Sequence, residues 1–425
     1  MRQYFMARSL IFPPLPGQLF GRLSGQFLVR RLGYMILMLS VLAALVSEAR
    51  AETFEAYIDA MQAEARARGV AEQHLAALDT ISLNPTVQRL AARQPEYIKP
   101  IWEYLDMLVT PKRIADGRAK LAEHAATFDR LEKKFGVPRS IMAAIWGVET
   151  NFGTITGDFP VLEALATLGY EGRRQKFGRQ QLQAALDILQ AGDVDLQNFK
   201  GSWAGAMGHT QFIPTTYQAY AVDATTDGRR DIWGTIDDAL GSTGNYLSVS
   251  GWVTGVPWGV RVRLPEGFDF SQAQIANRRP IADWIAQGVT GVDEQLQARW
   301  GAGAIYLPAG HRGPAFLATQ NFFALLRYNT APAYALAVGM LSSRLEGGDA
   351  LRLAWPTEDR PLLPDEIRKL QALLQKAGYA IEHVDGVPGR ETFAALIAFQ
   401  RDNKMIVDGY ATPQILAHIE KIMRQ

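Results

Sequence analysis

One glutamate stands where the neighbouring residue types would change its chemistry. Glu149 lies in the run WGVETNFG, residues 146–153. If this run is helical, Trp146 lies one turn before Glu149 and Phe152 lies three residues after it, so the carboxyl group shares a face with large apolar side chains. A poorly solvated carboxyl group has a raised pKa, which suits a general acid near neutral pH. The alternative is an ordinary solvated glutamate at a helix end.

A second run is rich in groups that could bind a sugar. Residues 200–217 (KGSWAGAMGHTQFIPTTY) combine glycines with hydroxyl, amide and aromatic side chains. Ser202 and Gln211 could hydrogen-bond a polyhydroxylated ligand, and Phe212 could stack on a sugar ring. A glycine-rich structural turn explains the same composition. The basic pair Arg173 and Arg174 could meet a substrate carboxylate, or form an exposed basic cluster with no ligand.

An aspartate-rich run offers a candidate metal site. Residues 223–229 (DATTDGR) resemble the start of a calcium-binding loop of the form D-x-[DN]-x-[DN]-G. The third position is threonine instead of an acid or amide, and the twelfth is Gly234 instead of the bidentate glutamate. A structural calcium ion and a plain Asp/Gly turn are both open. The candidate ligands are Asp223, Thr225, Asp227, Arg229 and, as a late carboxylate, Asp237.

Mostly helical elements must position these residues. Apolar residues recur at helical spacing in 137–153, with a proline in the first turn and Gly153 past the end. Further helices are predicted over 54–68, 114–135 and 321–345, and two more over 161–199. Residues 250–320 hold many Gly, Pro and Trp residues and a short alternating run at 259–264, which indicates a small β-containing subdomain. The fold class is therefore mainly α.

The last 60 or so residues form a unit of their own. Residues 346–362 carry glycines, prolines and both signs of charge, and we interpret them as a linker. Three amphipathic helices are predicted within 363–425, over 365–377, 391–403 and 413–423. The sequence Val-Asp-Gly precedes each of the last two, at 384–386 and 407–409. A domain of about 60 residues can fold alone, although marginally.

The N-terminus has the pattern of an export signal. Arg30 and Arg31 precede an uncharged run, 32–47, which is followed by the A-x-A pattern of 49–51. We therefore predict a signal peptide, 1–51, cut after Ala51. The run is shorter than a spanning helix requires, although an uncleaved anchor and a translation start further along the chain are alternatives. The mature chain is then expected to be soluble and periplasmic, with no stable membrane span.

Charge and composition exclude several other classes. The chain has 44 Lys and Arg residues against 43 Asp and Glu residues, and no cysteine. A net charge of +1 argues against nucleic acid as a partner. The missing cysteines exclude disulfides, thiolate metal sites and a cysteine lipid anchor. Because residues 1–51 hold six arginines and one acid, the remaining chain has a net charge of −4.

Several of these runs together resemble one family. The motifs WGVETNFG (146–153), GSWAGAMGHTQFIPTTY (201–217) and RYN (327–329) are similar to those of the B-type lytic murein transglycosylases, and residues 53–345 follow the same order and spacing. The tail is similar to the three-helix peptidoglycan-binding domain. The resemblance implies a lysozyme-like catalytic domain over 52–345 and a peptidoglycan-binding domain over 363–425.

The resemblance also assigns roles to residues. It implies that Glu149 is the single catalytic acid and base. It further implies that the substrate-binding residues are Ser202, Gln211, Phe212, Arg173, Arg174, Tyr246, Tyr328 and Asn329. In one branch of the family the aspartate-rich loop binds calcium, and this chain departs from the loop pattern at the two positions noted above, so calcium binding stays open.

The implied reaction cleaves the β-1,4 bond between N-acetylmuramic acid and N-acetylglucosamine and leaves a 1,6-anhydro end. One carboxyl group suffices because the C6 hydroxyl of the substrate acts as the nucleophile. Partners would be peptidoglycan strands and, as a further expectation, other cell-wall enzymes, and no cofactor is required. Two alternatives remain: a hydrolytic muramidase, and a wall-binding protein without catalysis.

Overall fold

Prolines and hydroxyl side chains set where many of the helices begin. The computed structural model describes residues 52–92, 99–348 and 353–424. Thr110 and Thr412 each accept a backbone N–H from the third residue of the helix that follows them, and in both cases proline is the first helical residue. These caps satisfy backbone N–H groups that have no partner within the helix. Proline is tolerated at the first helical position because it has no backbone N–H group that needs a partner.

Helices form most of the described chain before the β subdomain. They are α1 (Phe54–Ala67), α2 (Glu72–Leu75), α3 (Pro85–Ala92), α4 (Ile101–Leu108), α5 (Pro111–Glu123), α6 (Ala125–Phe135), α7 (Arg139–Thr150), α8 (Val161–Tyr170), α9 (Gln175–Ala191), α10 (Pro214–Tyr220) and α11 (Ile236–Val249). A two-residue antiparallel pair, β1 (Phe159–Pro160) and β2 (Lys200–Gly201), closes the segment between α7 and the 200–217 run. The predicted single helix over 114–135 is two helices that meet at His124.

The α7 helix lies at the centre of the main core. Its residues from Ser140 to Gly147 are all buried, and α5, α6 and α11 pack against it. Beside it, α8 and α9 approach closely at two glycines. A methyl group added to Gly178 would lie 2.2 Å from the backbone nitrogen of Gly169, so any larger residue would push the two helices apart.

A small antiparallel sheet has its own core. Its strands are β3 (Gly259–Arg263), β4 (Arg279–Pro280), β5 (Thr290–Gly291), β6 (Ala302–Tyr306) and β7 (Ala315–Ala318), in the order β4-β6-β7-β3-β5. Val260 lies opposite Leu317, which in turn lies opposite Ile305. The short helix α12 (Ile281–Ala286) covers this sheet with Trp284. The predicted β-containing subdomain is therefore present.

Two helices return to α7 after the sheet. They are α13 (Gln320–Tyr328) and α14 (Pro332–Leu345), where one helix was predicted. The break falls at Asn329, whose backbone is extended, and α14 restarts at Pro332. The break turns α14 so that it packs along α7.

The C-terminal helices are α15 (Pro364–Lys376), α16 (Arg390–Asp402) and α17 (Pro413–Ile422), close to the predicted bounds. Their buried residues form a separate cluster that includes Leu370, Leu396 and Ile419. This unit contacts the rest of the chain through the loop after β6, where His311 meets Asp408, and through the described linker residues. Among those linker residues, Asp359 pairs with Arg312 and Trp355 packs on Trp102.

No helix in the described parts of the chain is long and apolar enough to cross a membrane. The predicted export segment, 1–51, lies outside the described residues.

Candidate active site

Glu149 occupies the last turn of α7, where the helix ends abruptly. Asn151 and Phe152 both adopt the left-handed conformation, with φ of 49° and 58°, and Gly153 follows with φ of 82°. Two consecutive non-glycine residues in this region cost about 1–3 kcal/mol each. The turn returns Phe152 onto its own helix, where its ring packs edge-on against Trp146 at 5.6 Å between centroids. Backbone strain is thus concentrated directly beside the candidate acid.

Burial makes Glu149 a weak acid. Loss of solvent raises the pKa of its carboxyl group to about 7, although a hydrogen bond from Tyr334 acts in the opposite direction. The Tyr334 hydroxyl donates to Glu149 Oε1 at 2.6 Å. A carboxyl group with this pKa is partly protonated at neutral pH, so it can donate a proton and take one back.

Tyrosines line the site opposite α7. Tyr334 is 3% exposed and its ring stacks on that of Tyr328, with 6.5 Å between centroids and 6° between planes. Tyr246 packs edge-on against Tyr328 at 5.0 Å. Burial and the nearby Glu149 carboxylate raise the pKa values of Tyr328 and Tyr334 well above the usual value, so both hydroxyls stay protonated and act as donors.

The 200–217 run lies along the same side of α7. Thr150, next to Glu149, donates its hydroxyl to the His209 carbonyl at 2.6 Å, and the Trp146 indole N–H lies 3.0 Å from His209 Nδ1. The Tyr328 hydroxyl donates to the Thr210 carbonyl at 2.6 Å. The run is therefore held between α7 and α13, and the structure brings together segments that lie about 60 to 180 residues apart in sequence.

Ser202 and Gln211 are both fixed by the backbone of this run. Ser202 Oγ accepts the Ala206 N–H at 3.0 Å. Gln211 adopts the left-handed conformation, with φ of 56°, and donates through Nε2 to the Thr156 and Gly208 carbonyls at 3.0 Å each. Both of these contacts use the amide nitrogen, so among the described residues none donates to the Gln211 amide oxygen, and this oxygen can accept a hydrogen bond from a ligand.

The other predicted binding residues differ in what they can offer. Phe212 is only 2% exposed and packs on Tyr246 and Tyr328, so it supports the tyrosines and presents no free face to a sugar. Arg173 and Arg174 are exposed in the loop between α8 and α9, and the Arg174 guanidinium lies over the Trp203 ring. Asn329 is exposed at the end of α13 and accepts the Ala331 N–H.

A cavity of about 440 Å³ adjoins this region. Its wall includes Thr156, whose carbonyl binds Gln211, and also Lys200, Trp233 and Asp231. The Trp233 indole N–H donates to the Lys200 carbonyl at 3.0 Å, which joins the segment that follows the aspartate-rich loop to strand β2. The cavity is lined mainly by polar groups of both charges.

The aspartate-rich loop is closed by its own hydrogen bonds. Asp223 accepts the Thr226 N–H on Oδ1 at 2.6 Å and the Gly228 N–H on Oδ2 at 2.8 Å, and it also accepts the hydroxyl of Thr225. Asp227 accepts the N–H of Arg229. The residues that the sequence proposed as ligands for one ion therefore bind one another.

The late carboxylate lies elsewhere. Asp237 pairs with Arg130 and accepts the Thr127 hydroxyl, so it faces α6. Its neighbour Asp238 is fully buried and accepts the Ala224 and Asp231 N–H groups at 2.8 Å each. Within the described ranges, the only three acidic or histidine groups whose ligand atoms lie within 4.8 Å of one another are the exposed Glu382, His383 and Glu391. The Asp223, Asp227 and Asp237 carboxylates therefore do not converge on one point, as carboxylate ligands of a single calcium ion would.

Two functional positions were missed from the sequence. Tyr334 belongs to no recognised motif, and its contact with Glu149 depends on the break between α13 and α14. The carboxylate of the loop was predicted to be Asp237 and not Asp238, because the sequence alone does not distinguish two adjacent acids at the start of a helix. The helical register of α11 would have been the available signal, since it decides which of the two side chains faces the loop.

Comparisons with known proteins agree over most of the chain. The sequence profile of the transglycosylase SLT domain family matches residues 53–343, and that of the peptidoglycan binding domain matches residues 364–419. The membrane-bound lytic murein transglycosylase B of Escherichia coli K12 is 33% identical over 257 residues, which cover 59% of this chain and 67% of the relative.

Solved structures are also similar. The crystal structure of SltB3 from Pseudomonas aeruginosa in complex with NAG-anhNAM-pentapeptide has a TM-score of 0.84 and 45% identity, covering 87% of this chain and all of that one. The structure of Escherichia coli Slt35 in complex with calcium has a TM-score of 0.61 and 28% identity, covering 68% of this chain and 92% of that one. These neighbours confirm the predicted fold class.

Proposed function

Because the chain belongs to the transglycosylase SLT domain family and is a lytic transglycosylase that acts on peptidoglycan, we propose that Glu149 is its single general acid and base. The observation that supports this role is the buried carboxyl group with a pKa of about 7, held by the Tyr334 hydroxyl. A general acid positioned in this way contributes roughly 10²–10⁴-fold to the rate.

The first step breaks the glycosidic bond. Protonated Glu149 gives its proton to the glycosidic oxygen as the bond from C1 of the muramoyl residue to that oxygen breaks, and the leaving sugar departs with a free hydroxyl group. The oxygen of the substrate's own N-acetyl group then bonds to C1 and takes up the positive charge. Tyr334 stabilises the carboxylate that Glu149 has become, because its hydroxyl donates to Oε1.

The second step closes the ring. The Glu149 carboxylate takes the proton of the C6 hydroxyl of the muramoyl residue, and the C6 oxygen attacks C1 and displaces the N-acetyl oxygen. The product is a 1,6-anhydro end and Glu149 is protonated again, so no water is consumed. A second carboxylate is not needed, because the nucleophile belongs to the substrate.

We propose that the cleft is formed by the tyrosines of α11 and α13 and by the 200–217 run. Ser202 and Gln211 belong to the run that the Thr150 hydroxyl joins to α7, and the Tyr328 hydroxyl donates to the Thr210 carbonyl of the same run. Arg173 and Arg174 lie exposed between α8 and α9, with the Arg174 guanidinium over the Trp203 ring, and we propose that this pair binds the acidic groups of the peptide. Phe212 is proposed to act through the tyrosines it supports.

Product analysis separates this reaction from hydrolysis. Digestion of purified sacculi followed by mass spectrometry should give muropeptides with anhydro ends. Glu149→Gln should lower turnover by at least about 10²-fold. Asp158 is the only other acid within ten residues after Glu149, and Asp158→Asn should retain anhydro product formation. If only reducing ends appear and both variants are inactive, a two-carboxylate hydrolase explains the activity instead.

We propose that residues 1–51 direct export and that cleavage after Ala51 releases the chain into the periplasm. The domain limits proposed with it are 52–345, 346–362 and 363–425. N-terminal sequencing of the protein recovered from the periplasmic fraction should begin at Glu52. Recovery of the intact N-terminus in the membrane fraction would support the uncleaved anchor instead. An association with other cell-wall enzymes stays a prediction.

We further propose that the 223–238 loop is held by protein hydrogen bonds in place of calcium. The buried Asp238 carboxylate accepts backbone N–H groups from both ends of the loop, at Ala224 and Asp231. The Slt35 structure contains calcium, whereas in this chain Gly234 stands at the twelfth loop position and Asp237 is paired with Arg130.

A further inference from the structure

The C-terminal unit contains the same hydrogen-bonded turn twice. In the first copy, the Gln371 side chain donates to Asp385 Oδ1 at 2.9 Å and accepts the Gly386 N–H at 2.9 Å. The Val387 N–H also donates to Asp385 Oδ1, at 2.9 Å. A glutamine on a helix thus fixes an Asp-Gly turn, and the carboxylate uses only its Oδ1 oxygen to do so.

The second copy repeats these bonds atom for atom. Gln400 donates to Asp408 Oδ1 at 2.8 Å and accepts the Gly409 N–H at 2.8 Å, and the Tyr410 N–H donates to Asp408 Oδ1 at 3.0 Å. In both copies the Asp Oδ2 oxygen is therefore turned away from the turn. The two sites have the same local chemistry.

The second copy is occupied by a piece of this chain. The backbone N–H of His311 and its ring Nδ1 lie 3.1 and 2.6 Å from Asp408 Oδ2. A methyl group on Gly310 would lie 2.9 Å from Tyr410, so the peptide backbone rests directly on the turn. Asp408 is left only 8% exposed. The site accepts a peptide segment that offers N–H donors.

The first copy is open. Asp385 is exposed, and none of the described residues donates to its Oδ2 oxygen. Val384 and Val387, on either side of the Asp-Gly pair, are 41% and 51% exposed. Val387 stands where the second copy has Tyr410, which packs on the catalytic core. The first copy therefore has the same acceptor and a similar apolar neighbour but no occupant from this chain.

We propose that the 384–387 turn is a binding site for the peptide portion of peptidoglycan, with Asp385 Oδ2 accepting N–H groups of that peptide. The proposal rests on the peptidoglycan-cleaving function above and names the part of the substrate that the C-terminal unit holds. Glycan alone offers mostly hydroxyl groups, whereas the occupied copy binds a backbone amide and a ring N–H on one oxygen.

The surroundings of the open copy suit such a peptide. The Arg368 guanidinium lies next to Gly386, so that a methyl group added to this glycine would be 3.0 Å from Cζ. This guanidinium is paired with the exposed Asp365 carboxylate at 2.6 Å. The peptides of peptidoglycan carry amide or ammonium N–H donors, which suit the Asp385 acceptor.

Binding to sacculi tests the site in the full chain. With Glu149→Gln in the background to prevent digestion, Asp385→Asn should weaken sacculus binding about tenfold, the loss of one hydrogen bond to a charged group. Asparagine keeps an oxygen for Gln371 and Val387 but replaces the outward acceptor by a donor. Asp402→Asn, at an exposed aspartate near the end of α16 that accepts the Tyr379 hydroxyl, is the matched control and should bind as the parent does.

A second variant and a second substrate complete the test. Val387→Ser removes the exposed apolar neighbour of Asp385 and keeps its backbone N–H, so it should also weaken sacculus binding. This variant tests the site independently if Asp385→Asn lowers the melting temperature. On sacculi whose peptides have been removed by an amidase, the parent and both variants should bind equally. Equal binding of all three to intact sacculi, or a difference that persists on peptide-free glycan, would overturn the proposal.

Separate measurements distinguish a failure of the binding site at the 384–387 turn from a failure of the catalytic assignment of Glu149. In the chain with Glu149 intact, Asp385→Asn should release anhydro products from soluble, peptide-free glycan chains at the parent rate. A loss of turnover in Glu149→Gln alone concerns the catalytic assignment, whereas a loss of sacculus binding in Asp385→Asn alone concerns the turn.

Discussion

The pKa of Glu149 predicts a measurable effect on stability. Burial raises this pKa from 4.5 to about 7. Because one pKa unit corresponds to 1.36 kcal/mol, the ionised carboxylate destabilises the folded state by about 3 kcal/mol relative to the unfolded chain. The value is an upper estimate, since the side chain is only partly buried by surface area.

The sign follows from proton uptake. Between pH 4.5 and about 7 the folded chain holds a proton on Glu149 that the unfolded chain has released, so this contribution to stability falls as the pH rises through that window and is fully lost above it. Glu149→Gln removes the titration but keeps an oxygen for the Tyr334 hydroxyl. The variant should therefore gain up to about 3 kcal/mol over the parent between pH 4 and pH 8.

Unfolding by denaturant at pH 4, 5, 6, 7 and 8, followed by tryptophan fluorescence, measures this difference. Glu103→Gln, on an exposed position of α4, controls for the removal of one negative charge. The reasoning is refuted if the difference in unfolding free energy between Glu149→Gln and the parent is the same at every pH, or if the control shows an equal trend.

Three further predictions concern the surroundings of the site. Tyr334→Phe removes the hydrogen bond that lowers the pKa of Glu149, so the alkaline limb of the kcat/KM profile should move to higher pH; an unmoved limb would count against the contact. Asp238→Asn should destabilise the folded chain by about 2 kcal/mol because one N–H of the new side-chain amide then faces the Asp231 N–H. Asp237→Asn, in a partly exposed ion pair, should destabilise it by no more than about 1 kcal/mol. Equal losses of unfolding free energy in the two variants would contradict this. Calcium and EDTA should give the same melting temperature, and a rise with calcium at millimolar concentration would show that the loop binds the ion.

Local patterns predicted the elements well where a single feature marks each boundary. The three C-terminal helices lie within one residue of their predicted starts, because Asp365, Glu391 and Pro413 are typical of a first helical turn. The break at His124 was missed because the residues on both sides of it, such as Ala122 and Ala125, are good helix formers. Only packing against α7 and α11 redirects the chain there.

Predicting the site required information that a local pattern does not carry. The position of Glu149 among Trp146 and Phe152 predicted a poorly solvated carboxyl group, and its pKa is raised in that direction. The partner of Glu149 could not be predicted, since Tyr334 lies 185 residues away and reaches the carboxylate only through the packing of α14 on α7. For the same reason, spacing alone placed Asp237 with the loop although its side chain turns to Arg130.

The anchored linker gives the enzyme a fixed working distance. If the predicted linker, 346–362, were a flexible chain, the r.m.s. distance between its ends would be about 20–25 Å. Instead, Trp355 rests on Trp102, Asp359 pairs with Arg312, and Asp408 is bound by His311. The bond that Glu149 cleaves then lies at a fixed distance from the wall segment that the C-terminal unit binds.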